Sequence, residues 1–222
     1  MDWHVHPLLG SGSTELFAGW SVETSVSALS PSRIEATAVA PSAVRLCPTS
    51  DPHLDGLNSG PPTIYGSSVD DDFLARAIEL AMQARERGDH PFGALLVVDG
   101  DIVAEARNRV VSDQDITAHA ELMLVRQLED GGRLEQLRQG TVFASCEPCP
   151  MCVGAMFWAG VRRVVFALSH SRLNELVHPP RGESVGFRVS ASEIGCAAVP
   201  PMSFDGPHRE DEAAKAHVGF WH

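Results

Sequence analysis

Residues 146–152 read CEPCPMC, and thirty positions before Cys149 the chain reads His119-Ala120-Glu121. Cys149 and Cys152 are three apart at the head of an apolar segment, a spacing that puts both side chains on one face of a helix. Pro150 between them fits a first turn, where a missing N–H costs nothing. His119 also stands at the head of a segment with helical periodicity, AHAELMLVRQLE (118–129). A fold in which the three side chains act together must bring two helix starts to one point. No other feature of the sequence restricts the architecture as much.

Three uses compete for such a cluster: a disulfide, a redox pair and a metal site. The chain has five cysteines, Cys47, Cys146, Cys149, Cys152 and Cys196. An odd number with three clustered is unlike a secreted disulfide scaffold. The first residues, MDWHVHPLLGSG, have neither a basic stretch nor an apolar core of the signal-peptide kind. A reducing cytoplasm is the expectation, where a tight cysteine cluster reads as metal-binding or catalytic. A C-P-x-C redox pair would leave His-Ala-Glu unexplained. One His and two Cys make three protein ligands, and zinc held by three ligands with a fourth position open is the catalytic form. Glu121 would lie beside that position without binding the metal, free to carry protons. Cys146 reads as a small buried residue at a strand end, and Cys47 and Cys196 as plain residues.

The surrounding pattern supplies a scaffold. DDFLARAIELAMQARERG (71–88) has apolar residues at three- and four-residue spacing, which predicts a helix ended by Gly88. ALLVVDGDIVAEARN (94–108) has two apolar runs around Asp99-Gly100, the signature of a hairpin with strands near 94–98 and 102–107. TVFASC (141–146) and RRVVFAL (162–168) read as buried strands on either side of a helix over 149–159. FRVSA (187–191) suggests a last strand and REDEAAKAH (209–217) a short helix. This order predicts an α/β fold with a sheet sandwiched between helices. Residues 1–68 differ: Ser, Pro and Gly fill 25 of 68 positions and no apolar period persists. They are expected to be a disordered or loosely attached extension before a catalytic domain over 69–222.

His119-x-Glu121 with Pro148-Cys149-x-x-Cys152 is the pattern H-x-E…P-C-x-x-C of zinc deaminases. Over roughly residues 70–170 the chain resembles the cytidine deaminase superfamily. The resemblance implies a three-layer α/β/α sandwich with a central mixed sheet, Zn²⁺ held by His119, Cys149 and Cys152, Glu121 as the proton carrier, and a homodimer. His90-Pro91-Phe92-Gly93-Ala94 and CEPCPMC are similar to segments of guanine and guanosine deaminases. That likeness implies that Asn108 and the Ala120 backbone hold a base and that Phe92 packs on its face. The expected reaction is hydrolytic deamination of a free base or nucleoside, guanine or guanosine first, releasing ammonia.

Two alternatives stand beside this reading. Bacterial tRNA wobble adenosine deaminases share the same motifs, but they need a basic surface for an anticodon loop. Residues 69–222 hold 15 Lys and Arg against 23 Asp and Glu, a net of −8, with a single Lys. The expected partner is therefore a small molecule, not nucleic acid. A catalytically dead relative serving as a binding protein would have no need of Glu121. No membrane partner is expected, since the longest apolar run, VGAMFWAGV (153–161), is too short to cross a bilayer. The ending HVGFWH (217–222) offers two aromatics as a lid over the site or as a plug on the core.

Overall fold

The computed structural model describes residues 68–177 and 186–221. The expectation of a loosely attached extension concerns residues that lie almost wholly outside this range. The described elements are α1 (Ser68–Glu86), β1 (Gly93–Val98), β2 (Asp101–Arg107), α2 (Val110–Asp113), α3 (Ala120–Asp130), α4 (Leu134–Gln139) and β3 (Thr141–Cys146). They continue with α5 (Pro150–Ala159), β4 (Arg163–Leu168), α6 (His170–Leu176), α7 (Ala191–Ala197), β5 (Ser203–Asp205) and α8 (Glu210–Ala214). The sheet order is β2-β1-β3-β4-β5. β1 runs antiparallel to β2 and β3, while β3, β4 and β5 run parallel to one another. The sheet is mixed, as expected.

Alternation along the strands sorts side chains to two faces. Leu95, Val97, Phe143, Val165 and Ala167 meet Leu74, Ala77, Ile78 and Leu80 of α1. Their neighbours Ala94, Leu96, Val142 and Val164 meet Leu124 and Leu128 of α3 and Val153 and Met156 of α5. The result is a three-layer α/β/α sandwich with a core on each side of the sheet. Phe143 is 1% exposed and its ring lies 5.1 Å from that of Phe73; truncating it to Ala should cost about 3–5 kcal/mol.

Two glycine positions are dictated by geometry. Asp99 and Gly100 both have positive φ, 51° and 89°, the primed turn that matches the twist of a hairpin. At Gly93, a Cβ would stand 2.5 Å from the Ala77 carbonyl oxygen and the Leu80 Cβ. Only glycine lets α1 press this closely on the start of β1.

The end of the chain departs from the sequence reading. FRVSA (187–191) is not a strand: Phe187 and Val189 are exposed, and Ser190 begins α7 with a reciprocal capping box to Glu193. The fifth strand is Ser203–Asp205, which pairs with Arg163–Val165 of β4. The charged helix expected over 209–217 is shorter, Glu210–Ala214. No helix among the described residues is long and apolar enough to cross a membrane.

Candidate active site

The site forms where β2 and β3 end and β1 begins. Gly93 pairs with Arg107, and its N–H donates to Ser145 Oγ at 3.0 Å. From this edge α3 and α5 depart. His119 is the N-cap of α3 (φ −69°, ψ 154°) and Cys149 the N-cap of α5 (φ −69°, ψ 164°). An N-cap side chain commonly bonds its own helix's N–H groups; neither residue does so here. Both are left to turn toward each other.

They converge as the sequence spacing demands. His119 Nδ1 lies 3.6 Å from the Cys149 and Cys152 sulfurs, and the two sulfurs are 3.6 Å apart. A tetrahedral zinc with ordinary Zn–S and Zn–N bonds requires S···S near ~3.8 Å and S···N near ~3.6 Å. The donor set, two sulfurs and one imidazole nitrogen, and its edge lengths therefore fit zinc. Among the described residues, this is the His/Cys/Asp/Glu group close enough to hold a metal ion.

The electrostatics agree with that use. The Cys149 thiol is brought down to about 4, first by Cys152 donating to it and then by His119. Cys152 is pushed up by the same pairing and by burial. His119 is raised, chiefly by its bond to Cys149. Cys149 thus favours the thiolate, the form that binds metal.

Glu121, on the first turn of α3, is 7% exposed, and its Oε2 lies 3.4 Å from Cys152 Sγ. Burial raises its pKa, with the nearby Cys149 adding to the effect. A carboxyl group raised in this way holds a proton more readily than an exposed one, which suits a group that takes and returns protons. Cys146 is buried, and its thiol is raised well above the usual range by burial. It stands outside the donor set.

Asn108 follows β2 directly and is 1% exposed. Its N–H donates to the Phe92 carbonyl at 3.0 Å and its Oδ1 accepts from Val110 N–H at 3.0 Å. Its Nδ2 is buried with no partner. Buried amide donors are normally satisfied, so this one is free for a ligand. Ala120 is fully buried at the first position of α3, where its N–H has no intrahelical acceptor.

Phe92 sits within an aromatic group. Its ring lies 5.2 Å from His217 and 6.2 Å from Trp221, and Trp221 stacks on His217 at 6.0 Å with 9° between planes. Phe220 and Trp221 also approach His90, at 6.2 and 5.2 Å. His90 is near enough to His119 for that charge, after burial, to lower its pKa. The tail thus returns to the His90–Phe92 segment beside the metal ligands.

The sequence matches the model of the cytidine and deoxycytidylate deaminase zinc-binding region over residues 67–168. It is 39% identical over 155 residues to the Schizosaccharomyces pombe protein named "Probable cytosine deaminase", covering 70% of this chain and 94% of that protein. The chain belongs to the cytidine and deoxycytidylate deaminase family. It is a zinc-dependent deaminase, a hydrolase acting on C–N bonds. It is also 43% identical over 100 residues to guanine deaminase of Bacillus subtilis, covering 45% of this chain and 64% of that one. With the tRNA-specific adenosine deaminase of Bacillus subtilis it shares 37% over 97 residues, 44% of this chain and 60% of that one. The fold is that of guanine deaminase from Nitrosomonas europaea, with a TM-score of 0.53 at 21% identity over 75% of this chain and 91% of that structure.

Two residues to which the sequence reading gave no role, Glu147 within CEPCPMC and Asp89, help to build the site. Glu147 caps two helices, accepting from His170 N–H and Ala191 N–H at 2.9 Å each. Asp89 binds the segment that follows Asn108. Neither pairing leaves a local pattern, since the partners are 22 or more residues away.

Proposed function

We propose that this deaminase acts on a free aminated nucleobase, with His119, Cys149 and Cys152 as zinc ligands and Glu121 as the proton carrier. The observation that carries the reading is the aromatic tail. Phe220 and Trp221 fold onto His90 and Phe92, an aromatic group beside the metal ligands that suits one flat ring with little attached. The acidic balance over residues 69–222 supports it, because a polyanionic substrate would be repelled.

His119, Cys149 and Cys152 would hold the zinc, and the chemistry it would supply there is acidification of water into a nucleophile usable near neutral pH. Glu121 takes a proton from that water and passes it to a ring nitrogen. The C–O bond forms at the carbon bearing the amino group, Glu121 relays the second proton of the water to the amino nitrogen, and the C–N bond then breaks to release ammonia and leave the oxo product. Asn108 Nδ2 and the Ala120 N–H hold the ring by its polar edge, and Phe92 packs near its face. The intact Glu121, buried against Cys152, supports catalysis over a purely binding role.

Cytosine comes first among the bases. The likeness to the fission yeast protein extends over 155 residues, well beyond the zinc-binding region. Guanine or guanosine is the second reading, supported by the HPFGA segment and the likeness to guanine deaminase. A cavity of about 470 Å³ lined by Arg87, Arg107, Arg109 and Arg126 is the feature that a tRNA substrate would use. Glu105 and Asp130 share its lining, and Arg109 and Arg126 are already paired with Asp113 and Asp115.

A homodimer in the cytoplasm completes the proposal. Residues of α5 are apolar nearly all round, yet Trp158 is 83% exposed and Met151 38%. A second copy of the chain would cover that face. The test is ammonia release from cytosine, guanine, guanosine, cytidine and a tRNA anticodon hairpin at low and high salt. Turnover of a free base with a mild salt response supports the reading. Turnover of the hairpin alone, falling steeply with salt, would replace it.

A further inference from the structure

Asp89 lies in the turn between α1 and β1, far in sequence from the metal ligands, and is 2% exposed. Its Oδ1 accepts from the N–H groups of Val111 and Ser112 at 3.0 and 2.8 Å, and its Oδ2 accepts from Ser112 Oγ at 2.5 Å. These residues form the first turn of α2, whose own N-cap, Arg109, gives no side-chain cap. The carboxylate of Asp89 therefore caps α2 from another segment of the chain. The remaining first-turn N–H, that of Val110, donates to Asn108 Oδ1. One four-residue helix is thus held by two buried side chains, and each fixes the position of the other.

We infer that Asp89 is a positioning residue for the substrate amide. By fixing α2 it fixes the Val110 N–H, which binds Asn108 Oδ1 and so leaves Asn108 Nδ2 facing outward from that bond, without a protein partner. The same turn leads into His90-Pro91-Phe92, and the Phe92 carbonyl accepts the Asn108 N–H. Asp89 thereby ties together the two segments that flank the ring. It touches neither the metal ligands nor Glu121, which sit on α3 and α5. This role rests on the proposal that Asn108 holds the substrate.

The geometry separates positioning from plain stability. Asp89→Asn keeps an Oδ1 acceptor for both N–H groups and offers its amide to Ser112 Oγ. Asp89→Ala removes all three bonds. Steady-state kinetics with cytosine and with guanine should show kcat/KM down about 10-fold or more in Asp89→Ala, mainly through KM, with zinc content unchanged and Asp89→Asn near wild type. In an Asn108→Ala background, Asp89→Ala should add little further loss. Amide hydrogen exchange, which needs no substrate, should speed up at Val110 in Asp89→Ala and stay slow in Asp89→Asn. Independent, multiplying losses from the two alanine changes would overturn the positioning role, as would slow exchange at Val110 in Asp89→Ala. If Asn108→Ala alone leaves kcat/KM unaltered while Val110 exchange still responds to Asp89, the substrate role of Asn108 fails and the clamp remains.

Discussion

His217 should make the folded chain lose stability as the solution becomes mildly acidic. The imidazole is 1% exposed, between Phe92 and Trp221, and its Nδ1 accepts from Trp221 Nε1–H at 3.3 Å. Burial first, and the nearby Arg85 second, lower its pKa to about 4. In the unfolded chain a histidine titrates near ~6.5. Between those values the unfolded state binds the proton and the folded state does not, so stability falls as pH drops from about 6.5 to about 4 and levels off below. The gap corresponds to about 3 kcal/mol in full, at roughly 1.4 kcal/mol per pH unit. The assay is urea unfolding at several pH values from 7.5 to 4, on wild type and His217→Phe. Phe keeps an aromatic ring but cannot titrate. Other acid effects are common to both proteins, so the difference in unfolding free energy should shift in favour of the variant by about 3 kcal/mol across this range. Parallel curves would refute the reasoning, since the imidazole would then be titrating alike in both states.

Three further outcomes are expected. Cys149→Ala should lose both zinc and turnover, read by metal analysis and ammonia release, because two donors leave the site open on two sides. Glu121→Ala should retain zinc and fold but lose about 10²–10⁴-fold in kcat, the usual cost of removing a general acid–base group; near-normal turnover would place the proton carrier elsewhere. A chain beginning at Val69 should fold and deaminate as the full-length protein does, since the composition of residues 1–68 lacks a core-forming pattern; insolubility or loss of activity would put the boundary earlier.

The parts of the fold that could be read in advance are those where local pattern and tertiary role coincide. The Asp99-Gly100 turn and the alternation on its two sides determine β1 and β2 because turn chemistry and burial agree. His119, Cys149 and Cys152 were legible because their chemistry is tied to helix starts, which leave marks in sequence. The misreading of FRVSA shows the limit. Phe187-Arg188-Val189 alternates like a strand, but both apolar residues are exposed, and Ser190-x-x-Glu193, a capping signature present in the sequence, governs the segment instead. β5 is three residues long and follows two prolines, too short for any period, and it exists through pairing with β4. α2 is four residues long and is held by Asp89 from 22 positions away, so nothing local announces it. Asn108 could be proposed from its place after a strand, but the unpaired Nδ2 that supports a ligand role is a fact of packing.

Three metal ligands serving a small ring are the central claim. The most direct measurement removes the metal from the purified protein, restores zinc in known amounts, and follows ammonia release from cytosine, guanine and a tRNA hairpin together. Activity toward a free base should rise in proportion to zinc and saturate at about one ion per chain, as three ligands from one chain imply, with the hairpin left unchanged. Full activity in the metal-free protein, or deamination confined to the hairpin, would contradict it.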